Sequence, residues 1–275
     1  MKWIKLVSLF LLFSHSFSAY SQYYYTDIVT MQAAAKQYAA LVSAHIKQVS
    51  AISFEGNKPV DNFKLNQRIS PDFRTITITS SDPSTGYLST INYYNINKLI
   101  QTRDSSSNVL NITKYSYDSD GNISTIVTTS DDAFMNSHST EMHEWIYDGN
   151  KPKKMLRIKD KTDTTIVSFT YDGGNVAQET WTRKGHVAET YYYYYNSNNQ
   201  LTDIVRFNIR IRKMLPDFLF EYGEEGHIAQ MTQMPNGSTN YLVWKYTYNS
   251  NGLKEKELLF NKQQQLVGRV EYKYE

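Results

Sequence analysis

The chain contains no cysteine. A disulfide scaffold, thiol catalysis and cysteine-ligated metal sites are therefore excluded. So is the acylated cysteine of a lipid-anchored lipoprotein. Glycine and proline are scarce, at 12 and 6 of 275 residues, which excludes collagen-like and linker-like chains. No apolar run is long enough to cross a bilayer as a helix. Net charge is also missing once residues 1–21 are set aside. Those residues hold Lys2 and Lys5 and no acid, which leaves 29 − 2 = 27 basic residues against 27 acidic ones. A neutral chain lacks the electrostatic footprint of a nucleic-acid binder. No cofactor motif is present.

What the chain has in excess is tyrosine, 23 residues against 12 Phe and 4 Trp. An apolar ring with a wet hydroxyl suits half-buried strands. Residues 1–21 read as a signal peptide. Lys2 and Lys5 make a basic start, residues 6–13 a short apolar core, and Ala19-Tyr20-Ser21 a small-x-small cleavage site before Gln22. Export without cysteine points to a bacterial envelope protein that is periplasmic, on the outer surface or secreted. Residues 22–50 are expected to hold one amphipathic helix. Ile28, Met31, Ala35, Tyr38, Val42, Ile46 and Val49 recur at three- and four-residue steps, with Thr26 and Asp27 as N-cap residues.

Residues 51–275 read as one β-repeat domain. Anchor tyrosines stand at Tyr94, Tyr117, Tyr147, Tyr171, Tyr195, Tyr222, Tyr248 and Tyr274, between 23 and 30 residues apart. From the second copy on, an aromatic stands two residues earlier, as at Tyr115, Trp145 and Phe169. A polar turn follows each of the inner anchors, as at 118–122, 196–199 and 249–252, and an apolar residue opens the next strand. Each period therefore predicts two antiparallel strands. Together they give an all-β antiparallel meander of about sixteen strands, with its rings on one buried face. A sheet that wide must curl or spiral to bury the rings, with the N-terminal helix against its inside.

The motif Tyr-x-Tyr-Asp-x-x-Gly-x-Ile at residues 115–123 resembles the YD repeat of the Rhs and teneurin families. The resemblance spans about residues 94–274. Only Tyr117, Tyr147 and Tyr171 are followed by Asp, which marks a divergent and short relative. The resemblance implies a spiralled β-shell and a cell-surface or secreted protein that contacts sugars or proteins. It does not imply toxin delivery, because the one Asp-Pro step, Asp82-Pro83, precedes the repeats.

Few residues look like chemistry. His138 and His143 lack the helical spacing of a metalloprotease pair and point to opposite faces of a strand. The acid pairs Glu141 with Glu144, Asp118 with Asp120 and Glu224 with Glu225 read as turn and strand-end residues. Two features depart from the repeat. Tyr192 and Tyr194 fall on the polar face, where rings are not needed for the core and can stack on a sugar or a partner. Arg206, Arg210 and Arg212 alternate along the next strand as a basic stripe, to be matched by anionic ligands or by carboxylates such as Glu179 or Glu189.

The reading is an exported, non-enzymatic β-repeat protein. It has no metal or cofactor, and it binds a surface polysaccharide or a protein partner through Tyr192, Tyr194 and the arginines. The alternatives are an outer-membrane β-barrel, which alternating strands and abundant tyrosine also suit, and a hydrolase on a repeat scaffold.

Overall fold

The computed structural model describes residues 22–61, 63–82, 86–208, 212–234 and 240–275. The signal segment 1–21, Arg210, Pro83 and the Asn236-Gly-Ser238 sequon lie outside the described residues.

The strands form an antiparallel meander, as the repeat predicts, but the sheet is not a curled or spiralled ribbon. It closes. From Lys64–Ile69 to Leu266–Tyr274, every strand pairs with its neighbours in sequence. The strand Gln48–Glu55 then completes the ring by pairing with Leu266–Tyr274 on one side and Lys64–Ile69 on the other. Of the 19 strands in the sheet, the two-residue Lys58–Pro59 pairs only with Gln48–Glu55, which leaves 19 − 1 = 18 around a closed barrel. Closure removes the open edges that a spiral would leave unpaired.

The closing strand begins inside the segment expected to be helix, taking in its last residues 48–50. Residues 24–29 form a π-helical turn, Tyr24–Val29, and the α-helix runs only over Thr30–Ser43. It stops because His45 takes a positive φ of 55°. His45 N–H bonds the Val42 carbonyl and Ile46 N–H bonds the Leu41 carbonyl, both at 3.0 Å. That pair of bonds is a Schellman stop built without glycine. Ile46 and Val49 therefore do not belong to the helical stripe. Val49 is a buried strand residue paired with Tyr274.

The repeat has a physical basis that the motif alone does not reveal. At the strand opening after most anchors, the register slips by one residue, for example between Ser116 and Tyr117 and between Tyr194 and Tyr195. The bulge turns both the opening residue and the one three later inward. Ile123 and Ile126 are both buried, as are Val176 and Glu179, and Leu201 and Ile204. Each bulge sharpens the local bend, and a bend at every period is what curls a meander into a barrel. The anchor hydroxyl then ties periods together. Tyr117 bonds the Leu99 carbonyl at 2.7 Å, Tyr147 that of Ile123 at 2.9 Å and Tyr222 that of Leu201 at 2.7 Å. Tyr248 does the same to Ile228 at 2.9 Å and Tyr274 to Lys254 at 2.7 Å, and Tyr171 bonds Pro152. Tyr195 departs from the pattern and lies beside Tyr24 of the N-terminal segment.

The turns explain why Asp and Asn interchange after the anchor. Asp118 Oδ1 accepts the N–H groups of Asp120 and Asn122, at 3.0 and 2.8 Å. Asn196 Oδ1 does the same for Asn198 and Gln200, and Asn249 Oδ1 for Asn251 and Leu253. The turn needs a short side-chain acceptor rather than a charge. Asp118 and Asp120 are turn formers here.

Rings and aliphatics line the inside. Met155, Val167, Val176, Ile204 and Leu259 are almost wholly buried. Residues 22–43 lie against this lining. Tyr24 meets Phe169 and Tyr193, and Tyr25 meets Phe218 and Phe220. Further along, Tyr38 stacks on Tyr94 at 4.0 Å and donates its hydroxyl to the Phe73 carbonyl at 2.7 Å. Gln32, Ala33, Lys36 and Ala39 on the far side of the helix are exposed.

Candidate functional site

The polar centre of the molecule is where the barrel grips its N-terminal segment. Glu179, one of the bulge-driven inward positions, is fully buried. Its carboxylate accepts four donors: Tyr23 N–H at 2.9 Å, Tyr24 N–H at 3.0 Å, Trp181 Nε1 at 2.5 Å and Tyr193 Oη at 2.6 Å. The two backbone donors are N–H groups at the start of the helical segment, which otherwise lack partners. Burial raises the Glu179 pKa to about 7, although the four hydrogen bonds oppose it.

Two further grips flank it. Gln22 Nε2 donates to Asp217 Oδ2 at 2.8 Å, and Arg206 Nε donates to Asp217 Oδ1 at 2.9 Å. Asp27 Oδ2 meets His143 Nδ1 at 2.6 Å and accepts Trp145 Nε1 at 3.1 Å. The other ring nitrogen of His143 faces Glu141 Oε1 at 3.0 Å, and Arg157 binds Glu141 Oε2 at 2.5 Å. Burial works against the charged imidazole, but Asp27 and Glu141 outweigh it and raise the pKa to about 9. Glu141 is also buried in part, and its bonds to His143 and Arg157 hold its pKa down to about 2. The result is a chain of alternating charge, Asp27–His143–Glu141–Arg157. Tyr23 packs edge-on to His143 at 5.0 Å.

Chemically, this arrangement is a clamp. Each carboxylate is occupied by donors of the chain itself. Glu141 faces inward while Glu144, three residues on, follows the outward side of the same strand, so the two are not a facing acid pair. His138 pairs with Asp131 at 2.6 Å on an exposed hairpin, away from His143. Among the described residues, no group of three or more His, Asp or Glu is placed to hold a metal ion.

The sequence-predicted binding residues among the described residues, Tyr192, Tyr194, Arg206 and Arg212, do not form one surface. Tyr192 and Tyr194 are on the outer wall, with Tyr194 exposed, opposite Val205 and Asp203 on the next strand. Arg206 is not beside them. The bulge between Leu201 and Asp203 reverses the alternation, so Arg206 points inside, where it binds Asp217. Arg212 is exposed at the hairpin that follows, with φ 52°. The inner clamp escaped sequence reasoning because its partners lie far apart in the chain. Asp27 and His143 are 116 residues apart, and Tyr23 and Glu179 are 156. The one local signal is an acid or histidine at a position that the repeat otherwise fills with an apolar residue.

The outer wall mixes exposed apolar side chains, Ile52, Ile146, Ile166 and Tyr194 among them, with charges. Lys114, Glu144, Lys154, Lys245 and Glu271 project from it near mid-strand, beside inward Tyr115, Trp145, Met155, Tyr246 and Val270. On a lipid-facing wall each lysine at the bilayer midplane would cost about 2–4 kcal/mol.

No family model matches the chain, and no curated protein matches it. Solved structures do. The chain is similar over 77% of its length to a TcdB2–TccC3–Cdc42 complex, at 13% identity and a TM-score of 0.37, and it spans only 12% of that chain. It is similar over 84% of its length to a porin-like protein from Bacteroides uniformis, at 11% identity and a TM-score of 0.42, covering 96% of that chain. A porin-like protein from Bacteroides vulgatus gives 12% identity, a TM-score of 0.30 and 98% coverage. At these scores the barrel rests on its own strand register and not on the likeness.

Proposed function

We propose that the chain is a β-barrel of the bacterial envelope, associated with the outer membrane, non-catalytic, and filled by its own N-terminal segment instead of open as a pore. The observation that carries this reading is the closed ring of eighteen strands around residues 22–29, which Glu179, Asp217, His143 and Trp145 hold from three strands. Closure leaves no unpaired strand edge and separates a barrel from an open repeat sheet. The motif at residues 115–123 and its recurring anchors support reading the chain as a short, divergent and closed relative of the YD-repeat proteins.

A filled interior leaves the outer wall and the two rims to do the work. On the wall, Tyr192 and Tyr194 offer ring faces to a surface polysaccharide or a partner protein. Fractionation of the native envelope tests the location. Recovery with the outer membrane is expected, and recovery only in the cytosol or the medium would contradict it. A planar-bilayer recording is expected to show no steady conductance. A glycan array run on the parent chain and on Tyr192→Ala with Tyr194→Ala tests the wall. Unchanged binding would rule out that face.

A further inference from the structure

The two mouths of the barrel differ. Hairpins alternate between the ends of an antiparallel meander, so the four that join Ile123–Asp132 to Ser137–Asp148, Lys151–Lys159 to Asp163–Asp172, Asn175–Arg183 to His186–Tyr195, and Leu201–Asn208 to Lys213–Tyr222 share one mouth. This is the mouth opposite the anchor-tyrosine turns. It carries apolar side chains held out in water. Phe134 is 84% exposed, Met135 72%, Val187 65%, Phe207 49% and Met214 42%. Nothing in the core explains them. Phe134 and Met135 are the tip of a turn whose backbone N–H groups are both bound by Asp132 Oδ1 at 2.9 Å, so the turn is built and both side chains are held outward.

Cations stand between these tips. Lys159, Lys161, Lys184, Arg212 and Lys213 are all exposed on the same four hairpins. Of the acids there, Asp163 is taken by Arg183 at 2.6 Å and Asp131 by His138 at 2.6 Å, Asp132 holds the Phe134 turn, and Asp160 binds the Thr140 N–H at 2.9 Å. An arc of apolar tips interleaved with lysine and arginine matches an anionic bilayer surface. Rings and methionines enter the headgroup layer and cations meet the phosphates.

We infer that this rim, not the wall, is the membrane-facing surface of the barrel, and that it docks on a phospholipid bilayer with anionic headgroups through Phe134, Met135, Val187, Lys161 and Lys184. The inference rests on the outer-membrane reading and specifies how the association is made. The charged mid-wall positions Lys114, Lys154 and Lys245 stay in water, and the barrel stands on the membrane without crossing it.

The test is co-flotation of the purified full chain with vesicles of phosphatidylcholine, with and without phosphatidylglycerol. Binding to the anionic vesicles and release by salt are expected. Phe134→Ser with Met135→Ser, and separately Lys161→Glu with Lys184→Glu, are expected to weaken binding by about tenfold or more. All four positions are exposed, and an unchanged thermal melt confirms that the variants fold. No binding to either vesicle, or binding that both variants leave intact, overturns the inference. So does binding only to membranes whose proteins have not been stripped by protease, which would mark a protein partner. Extraction of the native protein by detergent alone, with no release by salt or alkaline carbonate, also overturns it and leaves a membrane-crossing barrel standing. Absence from every membrane fraction removes the outer-membrane reading itself.

Discussion

The phenol of Tyr222 donates to the carbonyl oxygen of Leu201 at 2.7 Å, across 21 residues of chain. Leu201 opens the strand after the preceding anchor. The same bond recurs at Tyr117, Tyr147, Tyr171, Tyr248 and Tyr274, so the repeat unit is a clasp on the unit before it. Tyr222→Phe keeps the ring and loses the clasp. It is expected to cost about 0.5–1.5 kcal/mol, read as a lower denaturant midpoint at unchanged slope.

Arg206 and Arg212 separate the inner face from the rim. Arg206→Ala leaves Asp217 buried with only Gln22 as its described partner, and is expected to cost about 3–5 kcal/mol. Arg212→Ala, on an exposed turn, is expected to stay within about 0.5 kcal/mol. Equal effects in urea unfolding would place both arginines on one face and refute the bulge-driven reversal.

His143 makes stability depend on alkaline pH. Its folded pKa is raised from 6.5 to about 9 by Asp27 and Glu141. The folded state therefore holds the proton more tightly, and the contribution is complete below 6.5 and lost as pH rises through 9. His143→Gln is expected to flatten stability across that window. Glu141 works in the opposite sense: its pKa is lowered from 4.5 to about 2, so its contribution is present above 4.5 and lost as pH falls through 2.

Glu179 has its own window. Burial raises its folded pKa from 4.5 to about 7. The folded state binds the proton more tightly than the unfolded chain does, so stability from this group is highest below 4.5 and declines as pH rises through 7. Glu179→Gln removes that slope. It also turns an amide NH2 toward two of the four donors, with an expected cost of about 1–3 kcal/mol at low pH. Limited proteolysis near residues 22–29 should report the loosened segment.

Much of the architecture was legible in the sequence. Paired rings two residues apart marked the inward face, and Asp or Asn after each anchor marked the turns, because both signals are local. The bulges were not legible. A single extra residue at Thr202 leaves the composition of the strand unchanged and reverses every side chain after it, which moved Arg206 from the wall to the interior. Closure was hidden for a similar reason. Ile46 and Val49 fit a helical spacing and a strand equally well, and only the positive φ at His45 and the free edges of two distant strands decide between them. Of the candidate site, Tyr192 and Tyr194 were placed on the outer wall as read, whereas the clamp on residues 22–27 is held by contacts across more than a hundred residues.

Closure is the claim on which everything else depends, and the absence of cysteine makes it directly measurable. Ser50 on the first long strand pairs with Lys273 on the last. Paired positions of adjacent strands lie about 4.5–5.5 Å apart at Cα, within disulfide reach. Ser50→Cys with Lys273→Cys is expected to oxidise to an intramolecular disulfide in the monomer, seen as a faster band on a non-reducing gel that reductant abolishes. Thiols that stay free, or that join only between chains, would mean that the first and last strands do not meet and that the barrel is open.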